Sequence, residues 1–394
     1  MERTPPEGRR SSPEPAVSSV LGDDNLLGEI LLRLDFPTCL VRAAVVSKRW
    51  LRRASDPAFL RGFRALHPPR ILGIYVQAGS APKRFLPVPQ PQELAAAAGR
   101  ALGNLPRPWL VGDCRNGRLL VRLEDRGFIW AVRSLLQPAP DEPLPTPPDL
   151  SLNSSMFHNP GVILQHLLLL EGEDDTTSCL CLLMAYNGVT FGANYSILQS
   201  GVWGDERSVA TEIHGSLGTV FGQKLLLGTK VYMMTAARCI LVLDLDTASF
   251  FKIELPHGVG GSGTAMLSRA QRSGLYLVDA TGFHLRIWHG DGAGQWVLVD
   301  TISVREACGR LNVQRWETEN GQAPAVVFAV GDNAEFVIFK LVASGIICCM
   351  QLAGNRVVEK VADGVLENYG ALDCPIAMVW PPIFPVSDRE SEED

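Results

Sequence analysis

The sequence predicts an α+β multidomain protein: a small N-terminal helical module followed by a large all-β domain with the character of a β-propeller. Three observations carry this. Apolar residues at helical spacing, punctuated by helix-start signals, fill residues 20–67. From Arg70 on, short runs of Val, Ile, Leu and Phe alternate with turns rich in Gly, Asn and Asp, the texture of many strands. Inside that region a triplet of such runs recurs at an offset of about 44 residues, and a period of ~40–50 residues with three or four strands each marks a propeller blade.

The helical module reads clearly. Asp23 and Asp24 precede the first apolar residues, where a carboxylate accepts unpaired N–H groups and suits the positive end of a helix dipole. Leu26, Leu27, Ile30, Leu31 and Leu34 then form one apolar stripe. Asp35-Phe36-Pro37 breaks it, and proline at a first turn opens a second helix with Leu40, Ala43, Ala44 and Val46. Ser47 is placed to cap a third, which carries Trp50 and the basic cluster Lys48, Arg49, Arg52 and Arg53. Asp56-Pro57 starts a fourth, with Phe59, Leu60, Phe63 and Leu66 at helical spacing. Some 45 residues lie near the lower limit for a core that folds unaided. The wide stripe therefore leaves two readings open: part of it meets a partner, or it packs on the rest of the chain.

These residues resemble an F-box, the module that docks on the Skp-type adaptor of cullin-based ubiquitin ligases. The resemblance rests on Leu26-Leu27-Gly28-Glu29-Ile30-Leu31-Leu32-Arg33-Leu34, then Leu40, then Val46-Ser47-Lys48-Arg49-Trp50. Leu21-Gly22 stands where the pattern has Leu-Pro. Ser55-Asp56-Pro57 and Leu66-His67-Pro68-Pro69 are similar to plant F-box proteins with a propeller-like associated region. The resemblance implies a substrate receptor of a cullin-type ligase. Leu21, Leu26, Leu27, Ile30, Leu31, Leu34, Leu40, Val46 and Trp50 would then be the adaptor-binding residues, and the β domain would recruit an unknown target protein.

Residues 70–385 form the expected β domain. The repeat aligns Val231–Met234, Ile240–Asp244 and Phe250–Ile253 with Leu275–Val278, His284–Trp288 and Trp296–Val299. A later triplet spans Glu335–Leu341, Ile346–Leu352 and Val357–Val361. Five or six blades are expected, with a large β-sandwich as the alternative fold. Because an open sheet edge exposes unpaired backbone groups, Ile71–Val76 and Ile376–Trp380 are expected to pair in one blade and close the ring. One helix is expected between Gln92 and Gly103, a short helical turn at Arg305-Glu306-Ala307, and a surface linker or long loop over Pro138–Pro148. Residues 1–19, rich in Pro, Ser, Glu and Arg, and the acidic residues 386–394 are expected to be disordered tails.

Charge and cysteines narrow the function. Residues 1–70 carry 12 Lys/Arg against 8 Asp/Glu, and the remainder 24 against 34, so a +4 module precedes a −10 domain. The net charge of −6 argues against a nucleic-acid partner. Nine cysteines include no C-x-x-C pair, so a zinc site of ordinary spacing is not expected; no cofactor is expected for a binding scaffold. Their placement in strand-like runs suits buried thiols in a reducing compartment, cytoplasm or nucleus. The apolar run Gly161–Leu170 is broken by Gln165 and His166 and falls short of a membrane span. The N-terminus lacks the pattern of a signal peptide.

One motif competes with the binding-scaffold reading. Gly258-Val259-Gly260-Gly261-Ser262-Gly263 matches the dinucleotide pattern G-x-G-x-x-G, with Asp279 near the spacing of a ribose-binding acid. Pro256-His257 interrupts the strand-to-glycine turn, and hairpin texture follows instead of a crossover helix, so an inter-blade loop is expected. His284 and His289 fall on opposite faces of a strand and do not suit one metal. Acids such as Asp244, Asp246, Asp279 and Asp291 lie in or beside turns, where turn-forming is their commoner role. The rival function is a propeller enzyme or a carbohydrate-binding propeller with the helices as packing.

Overall fold

A computed structural model of the chain describes residues 23–35, 37–67, 70–76, 84–89, 95–96, 110–115, 117–123, 129–134, 140–150, 162–170, 177–212, 224–235, 238–260, 265–270, 274–318, 323–352, 356–362, 372–382 and 384. The chain divides into two units, one of residues Met1–Pro69 with Val379–Asp394 and one of residues Arg70–Met378. The expected tails at 1–19 and 386–394, Leu21, and most of the expected helix between Gln92 and Gly103 lie outside the described residues.

Four short helices build the first unit. Asp23 caps α1 (Asp24–Leu32), its carboxylate accepting from the N–H groups of Asn25 at 2.8 Å and Leu26 at 3.1 Å. α2 (Pro37–Ala44) opens on the proline. Ser47 caps α3 (Lys48–Ala54) through the N–H of Trp50, and Asp56 caps α4 (Pro57–Leu66) through that of Phe59 at 2.7 Å. Leu27, Leu31, Leu40, Ala44, Ala54, Phe59 and Phe63 make the core, with Trp380 and Phe384 packed against it. The Trp380 ring lies parallel to Phe63, 6.2 Å between centres. By contacts Val379–Asp394 group with the helical unit, whose core receives the Trp380 and Phe384 rings.

The second unit is a six-bladed propeller. β1 (Ile71–Val76) and β2 (Arg84–Pro87) begin the first blade. The second blade holds β3 (Leu110–Arg115), β4 (Arg118–Leu123), β5 (Ile129–Ser134) and β6 (Glu142–Pro143). The third holds β7 (Val162–Leu169), β8 (Cys179–Tyr186) and β9 (Thr190–Gln199), with β10 (Val202–Trp203) and β11 (Arg207–Glu212) both paired to β9. The fourth runs β12 (Lys224–Leu227), β13 (Lys230–Met234), β14 (Cys239–Asp244) and β15 (Ser249–Glu254). The fifth runs β16 (Ala265–Arg269), β17 (Leu275–Thr281), β18 (His284–Gly290) and β19 (Trp296–Ser303), followed by the single turn α5 (Val304–Ala307). The sixth runs β20 (Ala325–Val330), β21 (Phe336–Leu341), β22 (Ile347–Gln351) and β23 (Val358–Ala362). Finally β24 (Leu372–Ala377) returns to pair antiparallel with β1, Ile71 facing Ala377 and Ile74 facing Pro375. The expected closure is therefore present, made by Leu372–Ala377 rather than by the whole run Ile376–Trp380, and the sandwich alternative is not what forms.

The packing shows the same circuit. Six apolar clusters lie one between each pair of neighbouring blades, including Ile71 and Ile74 of the first blade with Phe336, Ile338 and Ile347 of the sixth. Strand alternation sends adjacent Cys348 and Cys349 to opposite interfaces. Burial pushes the Cys179 and Cys349 thiols up to about 12, so both act as small hydrophobes. The aligned triplets are strands two to four of the fourth and fifth blades, and the later triplet is strands two to four of the sixth. The described part of the expected linker or long loop at Pro138–Pro148 is irregular apart from the two-residue β6. Buried Arg133 holds Asp141 through two hydrogen bonds, 2.7 and 2.8 Å, which pins that stretch against β5.

Candidate functional site

On the helical unit, the residues suggested by the sequence separate into two sets. Leu27, Leu31 and Leu40 are fully buried in the core of the unit. Ile30, Leu34 and Trp50 are half-buried, the last two packed on that core. Leu26 is 44% exposed and Val46 66%. Leu21 lies outside the described residues. Val45, 67% exposed, joins them although its spacing did not single it out. Leu26 and Ile30 share one helix face at i, i+4. The Asp24–Arg49 ion pair ties the start of α1 to the start of α3, just beyond Val45-Val46. The neighbouring basic cluster is only partly solvated: Arg49 holds Asp24, and the guanidinium of Arg53 lies 5.6 Å from the centre of the Phe59 ring. Gly28 makes room for it, since a Cβ there would sit 2.6 Å from the Arg53 guanidinium.

On the propeller, the innermost strands β3, β7 and β12 are stitched by polar groups. Asp113 accepts from the Leu169 N–H at 2.9 Å, and Arg115 donates to the Leu226 carbonyl at 2.7 Å. His166 on β7 has a buried Nε2 with no hydrogen-bond partner among the described residues. Burial, and then the charge of Lys224, lower its imidazole to about 4.

The glycine loop is engaged from within. The Gly258 carbonyl accepts from Arg286 at 2.9 Å. Fully buried Asp279 accepts from Arg286 at 2.6 Å, from Thr281 at 2.7 Å and from the Trp288 indole at 2.8 Å. Asp279 thus serves the blade, and no ribose contact is left to it. The described part of the loop links β15 to β16, two strands of antiparallel sheets. Asp244 and Asp291 form turns, each accepting backbone N–H groups two to four residues on. Among the described residues no group of three His, Cys, Asp or Glu is placed to hold a metal ion. No helix there is long and apolar enough to cross a membrane.

One cleft opens on the connection between the fifth and sixth blades. It has a volume of about 740 Å³ and is lined by Arg305, Leu311, Gln314, Arg315, Trp316 and Glu317 among others. α5 fixes its edge: Ser303 caps the turn, and the Val304 N–H donates to the Phe283 carbonyl at 2.8 Å. No sequence spacing pointed to this cleft, because Phe283, Arg305 and Trp316 meet only through the fold.

A family profile described as "F-box protein AT5G49610-like, beta-propeller" matches residues 110–384. The chain belongs to this F-box protein family. The match spans blades two to six and the closing strand, so the domain resemblance and the N-terminal F-box pattern agree from separate parts of the chain. No curated protein matches this F-box protein significantly. Solved structures are similar to it only remotely. BamB from Moraxella catarrhalis is 13% identical over 53% of this chain and 56% of its own, with a TM-score of 0.28. A subtype N11 neuraminidase-like protein of A/flat-faced bat/Peru/033/2010 is 11% identical over 62% of this chain and 68% of its own, with a TM-score of 0.28. The N-terminal domain of Nup159 is 10% identical over 75% of this chain and 72% of its own, again with a TM-score of 0.28. The F-box protein thus spans little more than half the length of BamB.

Proposed function

We propose that this F-box protein is the target-binding subunit of a cullin-type ubiquitin ligase, working in the cytoplasm or nucleus. The helical unit docks on a Skp-type adaptor and through it on a cullin. The propeller holds a protein for ubiquitination by other subunits. The chain then does no chemistry itself and requires no cofactor, nucleic acid or membrane. It works by effective concentration, since two binding sites on one scaffold raise the local level of target near the enzyme.

The observation that carries this reading is the apolar group Leu26, Val45 and Val46, left exposed by a helical unit whose own core is already filled. Large apolar side chains left exposed on so small a unit point to a protein contact. The test is co-purification of the full chain with a Skp-type adaptor. Leu26→Asp with Val46→Asp should abolish it, at about 2 kcal/mol or roughly thirtyfold in affinity for each anchor lost. Both positions are exposed, so helicity should persist by circular dichroism. Wild-type adaptor binding in that folded double variant would overturn the proposal.

A further inference from the structure

We infer that the cleft between the fifth and sixth blades is where the recruited protein docks, and that it takes an acidic peptide segment, carrying a carboxylate or phosphate beside an apolar side chain. This rests on the receptor reading above. The central group is Arg305. Its guanidinium lies 3.9 Å from the centre of the Phe283 ring and 5.8 Å from that of Trp316, and the two rings stand 5.9 Å apart at 70°. Two aromatic rings therefore hold an exposed cation at the edge of a cleft.

The ring contact occupies the face of the guanidinium and leaves its edge. That edge is a planar fork of N–H donors, the shape that binds a carboxylate or phosphate through two parallel hydrogen bonds. Among the described residues nothing accepts from it. Four other arginines of the ring differ: Arg133 holds Asp141, Arg286 holds Asp279, Arg115 holds Asp113 and Arg356 holds Asp300. A cation already held in place loses less rotamer freedom when a ligand arrives.

The rest of the lining completes the specificity. Arg315 adds a second positive charge against the single carboxylate of Glu317, so the cleft lining is cationic although residues 71–394 carry a net charge of −10. Leu311 and Trp316 offer apolar surface, and the Gln314 amide can pair with both backbone groups of an extended peptide. A basic partner would meet Arg305 and Arg315 unfavourably. A purely apolar one would leave the Arg305 fork covered and unpaired, which costs binding free energy.

The experiment screens the full chain against a random octapeptide library, then measures enriched peptides by fluorescence anisotropy. The expected enrichment is Asp or Glu next to Leu, Ile or Phe. Glutamate and phosphoserine versions of one enriched peptide distinguish carboxylate from phosphate recognition. Arg305→Ala should weaken binding at least tenfold. Arg305→Lys should lose nearly as much, because it keeps the charge and loses the fork. Phe283→Leu should fall between them and wild type. Enrichment of peptides without an acid would overturn the inference, as would unchanged affinity in an Arg305→Ala chain that melts like wild type. Adaptor capture is read on the same preparations. If it persists while acidic peptides fail, the inference falls and the receptor reading stands. If acidic peptides bind and adaptor capture fails, the cleft stands and the receptor reading falls.

Discussion

His166 and Asp279 show how single side chains govern this ring. His166 sits on an innermost strand with its Nε2 unpartnered among the described residues, and burial, with the charge of Lys224, holds its imidazole at about 4. The unfolded chain takes up that proton near pH 6.5. Between pH 6.5 and 4 the unfolded state therefore binds more protons than the folded one, so stability falls as pH drops through that window. Burial also lowers Lys224 to about 8, and its contribution has the same sign at higher pH. We expect the melting temperature to decline from pH 6.5 to 4 and His166→Gln to flatten that decline; an unchanged slope in the variant would assign it to other groups. Asp279 tests a different point. It is buried and binds Arg286, Trp288 and Thr281, so Asp279→Ala leaves three donors, one of them charged, without their acceptor. A loss of about 3 kcal/mol in urea unfolding is expected, the usual cost of breaking a buried pair from one side. Calorimetry with NAD should show no heat of binding in either form.

At the scale of elements, the helical unit separates docking from folding. Leu31→Asp places a charge in the core beside Leu27 and Phe63 and should unfold the helices, visible as lost ellipticity. Leu26→Asp should leave the ellipticity intact while removing adaptor capture. Equal ellipticity loss in both variants would contradict this division. The helices were legible because caps and i, i+4 spacing act locally. Which leucines face inward was not, because Leu26 and Leu27 belong to one stripe and only packing tells them apart. Among strands, β14 and β21 announced themselves through apolar runs of five and four residues. β9 did not, because Gly192, Asn194 and Ser196 interrupt it, although all three pair along the blade. β12 and β16, at four and five residues, are too short to show alternation. The cleft was the least legible feature: Arg305 meets Phe283 and Trp316 across separate loops, and no local pattern records such a meeting.

At the scale of the whole molecule, closure is the feature to test. Removing residues 372–394 deletes β24 and exposes β1 as an unpaired edge. A sharp drop in the melting temperature of the propeller is expected. Removing 379–394 keeps β24 but takes Trp380 and Phe384 from the helical core, so the helices should loosen while the propeller melts as before. Removing 386–394 should change neither transition. Equal melting of all three truncations would refute the account. The position of these residues in the chain also has a consequence for synthesis. A ribosome makes the helices first and the blades in order, yet neither unit is complete until residues 372–384 have emerged. Until then the nascent chain carries an open blade edge and a helical core missing two aromatic rings, surfaces that chaperones bind. An arrested chain lacking that stretch would therefore carry two separate marks of incompleteness, and a subunit proposed to deliver others for degradation would itself be recognisable as unfinished.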